Sequence, residues 1–218
     1  MLAFIAAEAR EFAGVLRHAE GVASLDCKLD FARSARLNGR EVMLVANGPG
    51  PKLAAKAAEA AKEHSDLEGL VSVGFCGALN PILKPGEVLV ASAITSNGLS
   101  VPRSHPSACQ MGKLLSLDRV ATTAEEKQTL YQQTAADAIE MEAAAVAGKA
   151  VEWEVPCYAI KAVTDTASES FPLDFNGVRD GNGRFSRGKI IWAAARRPAV
   201  IPALMRLDRR CKLAAEAL

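Results

Sequence analysis

The sequence predicts a single α/β domain in which buried strands alternate with helices. Apolar runs such as Leu2–Ala7 and Gly69–Gly74 lack the alternation of a half-exposed strand, which is typical of strands covered on both faces. Some of these strands lead through a short turn into an alanine-rich segment, as a strand-helix alternation requires. With 218 residues and a composition that is 50% apolar, the chain is long enough for one substantial core.

The first half of the chain is predicted from its periodicity and turn residues. Its elements are, in order, the strand Leu2–Ala7, a helix with Phe12, Val15 and Leu16 on its apolar face, the strands Lys28–Leu37 and Glu41–Ala46, a helix that reaches about His64, and the strands Gly69–Gly74 and Val88–Ser92. Asn38-Gly39 is a strong hairpin signal. The turn Asn47–Pro51 precedes a helix N-terminus, so it suits either an anion-binding turn or a tight connection.

The second half contains the stretches that carry candidate chemistry. Its predicted elements are a loop over the rim of the sheet at Gly98–Lys113 with His105, a segment Leu114–Val120, a helix Ala124–Tyr131 capped by Thr122 or Thr123, a short strand and helix within Ala138–Ala147, a strand Tyr158–Val163, and helices Gly188–Ala195 and Ala199–Leu218.

Three carboxylates follow the two strands of this half. Glu140 and Glu142 lie where a strand gives way to a helix, and Asp165 follows the next strand. If the two strands run parallel, the carboxylates meet at the rim where open α/β sheets place their ligands. Taken singly, Glu142 is equally explained as a first-turn acid and Asp165 as an N-cap.

Composition excludes several classes of function. The net charge of +1 provides no global electrostatic attraction to nucleic acid. The five cysteines are scattered and odd in number, which argues against a disulfide framework or a zinc site and favours a reducing cytoplasm. The first residues lack a basic region, and no apolar run approaches about 20 residues, so we predict neither a signal peptide nor a spanning helix.

Two segments together resemble the nucleoside phosphorylase and nucleosidase superfamily. They are E-M-E-A-x-A-x-A from Glu140 and a strand that ends in T-D-x-A at Ala167. A third matching block is the strand at Gly69, a small-residue turn and L-x-x-G-E-V from Leu83. The resemblance covers about residues 2–167, and the basic helices at about 187–218 complete one domain. It implies a three-layer α/β/α fold with a mixed, twisted central sheet, and cleavage of a purine N-glycosidic bond without metal or organic cofactor.

The resemblance also implies roles for the acids. Asp165 would protonate the purine at N7, which requires a raised pKa. Glu142 would accept hydrogen bonds from the ribose hydroxyls, Met141 would contact the sugar, and Glu140 would lie behind them. An acid after the first strand would contact the ribose end or activate water. Glu11 is our first choice, and Glu8 is the alternative register.

Further residues are implied around the sugar and the base. Phe75, Cys76 and Gly77 form the predicted small-residue turn beside the sugar. Phe75 lies where relatives place a phosphate-binding Ser or Thr, and this departure puts a conventional phosphate site in doubt. Cys76 is a buried structural residue in our interpretation. Val120 would lie beside the purine in place of an aromatic residue, and Gly48 would lie at the phosphate or nucleophile pocket.

The nucleophile and the tail leave alternatives. We favour phosphorolysis of an adenine nucleoside, with phosphate as co-substrate, over hydrolysis of the methylthioadenosine/S-adenosylhomocysteine type. A catalytically silent purine-binding domain is a third interpretation. The basic, apolar tail resembles the hopanoid-associated branch, which acts on adenosylhopane. That tail either lies on an anionic membrane or, as we favour, caps the sheet with its charges solvated. Family members commonly form homo-oligomers.

Overall fold

The computed structural model describes residues 1–96, 99–102, 110–181 and 183–218. Ten strands in these ranges form one sheet that mixes parallel and antiparallel pairs, which confirms the predicted α/β class with a mixed central sheet. The strands are β1 (Leu2–Ala6), β2 (Glu20–Ser24), β3 (Phe31–Leu37), β4 (Arg40–Ala46), β5 (Gly69–Ala78), β6 (Val88–Ser96), β7 (Leu99–Pro102), β8 (Met111–Ser116), β9 (Ala138–Glu140) and β10 (Cys157–Asp165).

Five strands close into a ring, because β5 pairs with both β9 and β10. From β5 the pairing runs through β10, β6, β8 and β9 back to β5, while β1, β4, β3 and β2 extend the sheet from β5. The chain direction of β9 differs from the prediction. β9 is antiparallel to β5 and β10 is parallel to it, so the strands carrying Glu140 and Asp165 do not run parallel. They still converge, because Ile139 and Asp165 are both register partners of Gly77.

Helices cover both faces of the sheet, as the three-layer prediction requires. They are α1 (Ala13–Arg17), α2 (Pro51–His64), α3 (Ala124–Thr134), α4 (Ala143–Glu152), α5 (Arg187–Arg196) and α6 (Ile201–Ala217), with short 3-10 turns at Ala9–Phe12 and Pro198–Val200. α2 and α4 pack side by side over one core, and α1 and α6 pack together on the opposite face. α6 also packs against β10, so the C-terminal segment is joined to the core.

Alanine side chains let α2 and α4 lie close to each other. Ala57 and Ala61 on α2 and Ala143 and Ala147 on α4 are buried in the same core. Small side chains allow close approach, and here the approach brings the N-terminal ends of both helices together. The amide of Gly50, which precedes α2, consequently donates a hydrogen bond to Glu142, which precedes α4 (2.7 Å).

Several predicted boundaries need correction. β5 continues through Ala78, so Phe75, Cys76 and Gly77 belong to a strand rather than to a turn. The predicted loop Gly98–Lys113 contains β7 and the start of β8, and its His105 lies outside the described residues. β2 escaped prediction because every residue in it is exposed and it therefore has no apolar face to detect.

Local signals were more accurate. Asn38 and Gly39 both have positive φ (48° and 78°) and join β3 to β4, as the hairpin prediction requires. Thr123 caps α3 by accepting a hydrogen bond from the Glu126 amide. The tail folds as two helices separated near Pro198. Among the described residues, no helix combines the length and apolar character needed to cross a bilayer.

Candidate active site

A cavity of about 400 Å³ opens where the ring of strands meets the segments after β1, β8 and β10. This volume is within the usual range for a small-molecule site. Ten of the eleven predicted site residues line it: Glu8, Glu11, Phe75, Cys76, Gly77, Val120, Glu140, Met141, Glu142 and Asp165. Gly48 does not line the cavity, although its neighbour Pro49 does.

Glu142 lies at the start of α4 and projects towards the turn before α2. Its Oε1 accepts the hydrogen bond from the Gly50 amide, and its Oε2 lies 3.9 Å from Nζ of Lys161. Gly50 has a φ of 97°, a conformation that favours glycine. Burial raises the pKa of Glu142, although Lys161 and the Gly50 amide oppose the shift. The Gly50 amide thus holds one carboxylate oxygen of Glu142, while the other oxygen faces the Lys161 ammonium group.

Glu140 and Lys161 form a buried ion pair behind Glu142. Lys161 Nζ lies 2.9 Å from Glu140 Oε2, in a geometry that falls short of a hydrogen bond. Glu140 also accepts hydrogen bonds from the amides of Glu142 and Ala143, which satisfies the start of α4. Burial alone would lower the pKa of Lys161, but Glu140 and Glu142 outweigh it and the pKa is raised. The ammonium group therefore stays charged beneath the carboxylates.

Glu11 is a buried acid on the segment after β1. Its Oε2 accepts a hydrogen bond from the Ala7 amide (2.9 Å) and lies against Gly74, where a Cβ atom would come within 2.5 Å of it. Burial, together with the charge of Glu142, raises the pKa of Glu11 to about 8. Glu8 differs, since its side chain is 38% exposed and pairs with Arg10 at 2.5 Å. Of the two candidate acids after β1, Glu11 is therefore the buried one and Glu8 is partly exposed.

Asp165, at the end of β10, also lines the cavity and is held by two donors. Thr164 Oγ1 donates to Oδ1 (2.7 Å), and Lys127 Nζ donates to Oδ2 (2.5 Å). Gly77 lies under the carboxyl group, where a Cβ atom would come within 2.8 Å of Oδ2. Burial raises the pKa of Asp165, while Lys127 and Thr164 lower it. A buried carboxyl group with a raised pKa is a suitable proton donor.

Sequence analysis missed Lys127 and the aromatic wall. Lys127 lies in a polar helix, and no local pattern distinguishes it from its charged neighbours. The wall consists of Phe171, Phe175 and Phe185, which make edge-to-face contacts (centroids 5.2 and 5.9 Å apart). These residues are spread over a polar, glycine-rich stretch in which no periodicity could identify them.

Two other chemistries receive no support in the described part of the chain. Burial raises the pKa of the Cys76 thiol, so it stays protonated and is a poor nucleophile. No cluster of three or more His, Cys, Asp or Glu side chains suited to a metal ion occurs in the ranges that the structure describes. The titratable groups that line the cavity are mainly carboxyl groups, with Lys127, two arginines (Arg10 and Arg119) and two cysteines beside them.

Comparison with known proteins gives consistent matches. The family model described as the phosphorylase superfamily matches residues 3–113 and 108–186. A 5'-methylthioadenosine/S-adenosylhomocysteine nucleosidase of Staphylococcus epidermidis is 25% identical over 176 residues, which cover 66% of this chain and 77% of that protein.

Solved structures share the fold over nearly the whole chain. The nucleosidase of the same kind from Neisseria meningitidis, in complex with methylthio-immucillin-A, gives a TM-score of 0.74 at 21% identity, covering 99% of this chain and 94% of that one. The Helicobacter pylori nucleosidase of this kind, in complex with a substituted pyrrolidin-3-ol, gives a TM-score of 0.74 at 17% identity, covering 99% of this chain and 93% of that one. At these identities the structural matches establish the fold.

Proposed function

Because the chain belongs to the phosphorylase superfamily, whose enzymes act on N-glycosyl bonds, we propose that it cleaves a purine nucleoside and releases free adenine. The observation that carries the proposal is the convergence of three buried carboxyl groups, Glu11, Glu142 and Asp165, on one cavity. The S. epidermidis relative, a nucleosidase for 5'-methylthioadenosine and S-adenosylhomocysteine, supports adenine as the base.

The proposed reaction assigns one task to each acid. Asp165 donates a proton to purine N7 as the glycosidic bond breaks, so that the base leaves neutral. Glu142 accepts hydrogen bonds from the ribose hydroxyls and stabilises the positive charge that develops on the sugar. Met141 packs against the sugar from the cavity wall. Lys161 keeps Glu140 and Glu142 in place without contacting substrate.

Water is the nucleophile that the geometry favours, activated by the ionised form of Glu11, whose share grows as the pH rises towards its pKa of about 8. The charged groups that act most strongly on Glu11 are Glu142, Lys161 and Glu8, and Lys161 is engaged by Glu140. The Arg10 guanidinium pairs with Glu8. A phosphate ion bound there would meet carboxylates without an uncommitted cation, whereas water needs only a base. We therefore place hydrolysis ahead of phosphorolysis, reversing our preference from the sequence.

Phosphorolysis is the second candidate, and Arg184 favours it. Its Nη2 lies 3.3 Å from Asn47 Oδ1, at the turn before α2. A Cβ atom at Gly48 would come within 3.5 Å of its Nη1. An arginine beside a glycine turn that precedes a helix is a suitable anion site, although Arg184 also pairs with Asp30 and is not one of the residues that line the cavity. Glu11 is also largely protonated near neutral pH, which weakens its repulsion of phosphate.

Adenine release measured with and without phosphate tests both candidates. We expect 5'-methylthioadenosine and adenosine to release adenine without phosphate, and Asp165→Asn to reduce the rate about 10²–10⁴-fold. Asp66→Asn, which changes an exposed acid, is the matched control. Adenine release that occurs only with phosphate, and that needs more phosphate in Arg184→Met, would establish phosphorolysis. Adenine binding without turnover of any nucleoside would indicate a silent binding domain instead.

We propose that the 5' substituent is apolar. Phe175, Phe185, Ile190 and Leu207 are apolar side chains that line the cavity. Such a wall suits a hydrocarbon group, and adenosylhopane is the member of this class suggested by the resemblance of the tail. We expect kcat/KM for 5'-alkylthioadenosines to rise with chain length, and Phe175→Ala to remove the rise while sparing adenosine. Equal values for all chain lengths would contradict an apolar subsite.

We also propose that α5 and α6 contact an anionic membrane. Ile191, Trp192 and Met205 are 69, 59 and 62% exposed, and Arg196 lies over the Trp192 ring. Basic groups beside exposed apolar side chains are typical of membrane-surface helices. We expect the protein to sediment with phosphatidylglycerol vesicles. Trp192→Glu should abolish this binding, whereas Val151→Glu, a matched change at a residue of α4 that is 63% exposed, should not.

The resemblance also implies a homo-oligomer, and light scattering measures its mass in solution.

A further inference from the structure

Lys127 is a fully buried lysine whose three N–H bonds are all used. Its side chain is 1% exposed. Nζ donates to Asp165 Oδ2 at 2.5 Å and to the carbonyl oxygens of Thr166 and Glu169 at 2.9 Å each. The ammonium also lies 5.2 Å from the centre of the Phe171 ring. Burying an ammonium is costly unless it is paired, so this cation has a specific place in the structure.

We propose that Lys127 is the positioning residue for Asp165, holding its carboxyl group against the cavity and stabilising the carboxylate that remains after the proton is given to the purine. This inference rests on the proposed function, in which Asp165 is the acid. Lys127 comes from α3, and Asp165 ends β10. The ion pair thus joins two elements through residues that are 38 positions apart in the chain.

The proton balance shows what Lys127 contributes. As the bond between C1' of the ribose and N9 breaks, its electron pair goes to the purine, and N7 takes the proton of the Asp165 carboxyl group. Asp165 becomes a carboxylate, and Lys127 keeps all three of its protons throughout. The positive charge at 2.5 Å favours the ionised product of this step, so it makes Asp165 a stronger acid.

Other titratable groups near Asp165 lie on the segment after β10, on β5 and on α6. Glu169 follows β10 and is itself paired with Arg210 of α6 at 2.5 Å. Cys76 of β5 and Cys211 of α6 are thiols that burial keeps protonated. Lys127 is therefore the cation in direct contact with Asp165 among the described side chains, and its removal changes the charge balance most.

Removing the charge of Lys127 has two effects, one on the maximal rate and one on the pH dependence of the rate. Without Lys127, Asp165 is a weaker acid, so the maximal rate falls. Asp165 also keeps its proton to higher pH, so the loss of activity at alkaline pH is delayed. A cation within about 4–6 Å lowers a carboxyl pKa by about 1–3, and we expect the alkaline limb to move upward by a similar amount. A residue with a purely structural role would lower the rate and leave the limb in place.

The experiment measures kcat/KM for adenine release against pH in Lys127→Met, which keeps the unbranched stem of the side chain but removes its charged end. We expect a plateau about 10–100-fold lower, as part of the contribution of general acid catalysis, with the alkaline limb displaced upward. The acidic limb, which reports Glu11 as base, should not move. Lys127→Arg should restore the limb to its wild-type position. Gln128→Met, an exposed change on the same helix, should match the wild type.

Thermal unfolding of each variant separates folding defects from catalysis. A Lys127→Met protein that is folded and slower, but has its alkaline limb at the wild-type pH, would overturn the positioning role. The proposed function would still stand in that case if Asp165→Asn is inactive. An Asp165→Asn enzyme as active as the wild type would overturn the proposed function and this inference together. A displaced limb that Lys127→Arg restores supports the inference.

Discussion

Replacing Glu11 by glutamine should make the stability of the protein less sensitive to pH. The pKa of Glu11 is raised from 4.5 to about 8 in the folded protein, mainly by burial. Between these values the unfolded chain loses its proton while the folded protein retains it. The free energy of unfolding therefore falls as pH rises through this window, and it stops falling above about pH 8. Glutamine has the same shape and does not titrate there.

The magnitude follows from the size of the shift. Each tenfold change in proton affinity corresponds to about 1.4 kcal/mol, so the move from 4.5 to about 8 corresponds to at most about 5 kcal/mol. Part of the raised pKa of Glu11 comes from the charge of Glu142 and depends on the ionisation of that residue. We therefore expect the free energies of unfolding of the two proteins to diverge by about 2–5 kcal/mol over this pH range. Urea unfolding of both proteins at pH 5, 6, 7 and 8 measures it, with Glu11→Gln gaining relative stability at each step.

The control is Glu8→Gln, which changes a partly exposed acid only three residues away. Because the side chain of Glu8 is 38% exposed, its replacement should change the free energy of unfolding much less than the replacement of Glu11. Parallel stability curves for Glu11→Gln and the wild type would refute the reasoning, since they would mean that Glu11 ionises in the folded protein as readily as in the unfolded chain. The argument that a protonated Glu11 weakens the repulsion of phosphate would then also be lost.

Three further substitutions test the supports of the site and of the fold. Glu140→Ala leaves Lys161 buried without its closest partner, so urea unfolding should show a loss of about 3–5 kcal/mol. Gly74→Ala places a methyl group 2.5 Å from Oε2 of Glu11 at a φ of 139°, and we expect a loss of about 1–3 kcal/mol together with lower kcat. Gly39→Ala, at a φ of 78° with no neighbouring atom within 4 Å, should cost about 1–2 kcal/mol in thermal unfolding and leave kcat unchanged.

The sequence was informative where local chemistry determines structure. Positive φ at Asn38-Gly39 and capping by Thr123 are properties of a few adjacent residues, so short patterns predict them. The motifs around Glu142 and Asp165 were recognisable because each joins a strand to a turn of fixed spacing. Their presence in one cavity was predicted, although the reason given for it, two parallel strands, was wrong.

The features that escaped prediction depend on contacts between distant parts of the chain. β9 has only three residues, which is too short for any periodicity to specify its direction. Lys127 looks like an ordinary surface residue until α3 packs against the end of β10. Gly77 was predicted to lie in a turn, but it is paired on both edges by Ile139 and Asp165. None of these pairings has a signal within a single window of sequence.

The closed ring of strands has a consequence for the order of folding. In β5, Gly69 pairs with Leu2 of β1, 67 residues earlier, and Leu70 pairs with Cys157 of β10, 87 residues later. Long-range pairings of this kind slow folding. The ring closes only when β10 joins it, and that strand ends at Asp165. Because Asp165 ends β10, the proton donor reaches the cavity only when this most distant pairing has formed. We expect refolding to restore secondary structure before it restores the ability to bind a nucleoside.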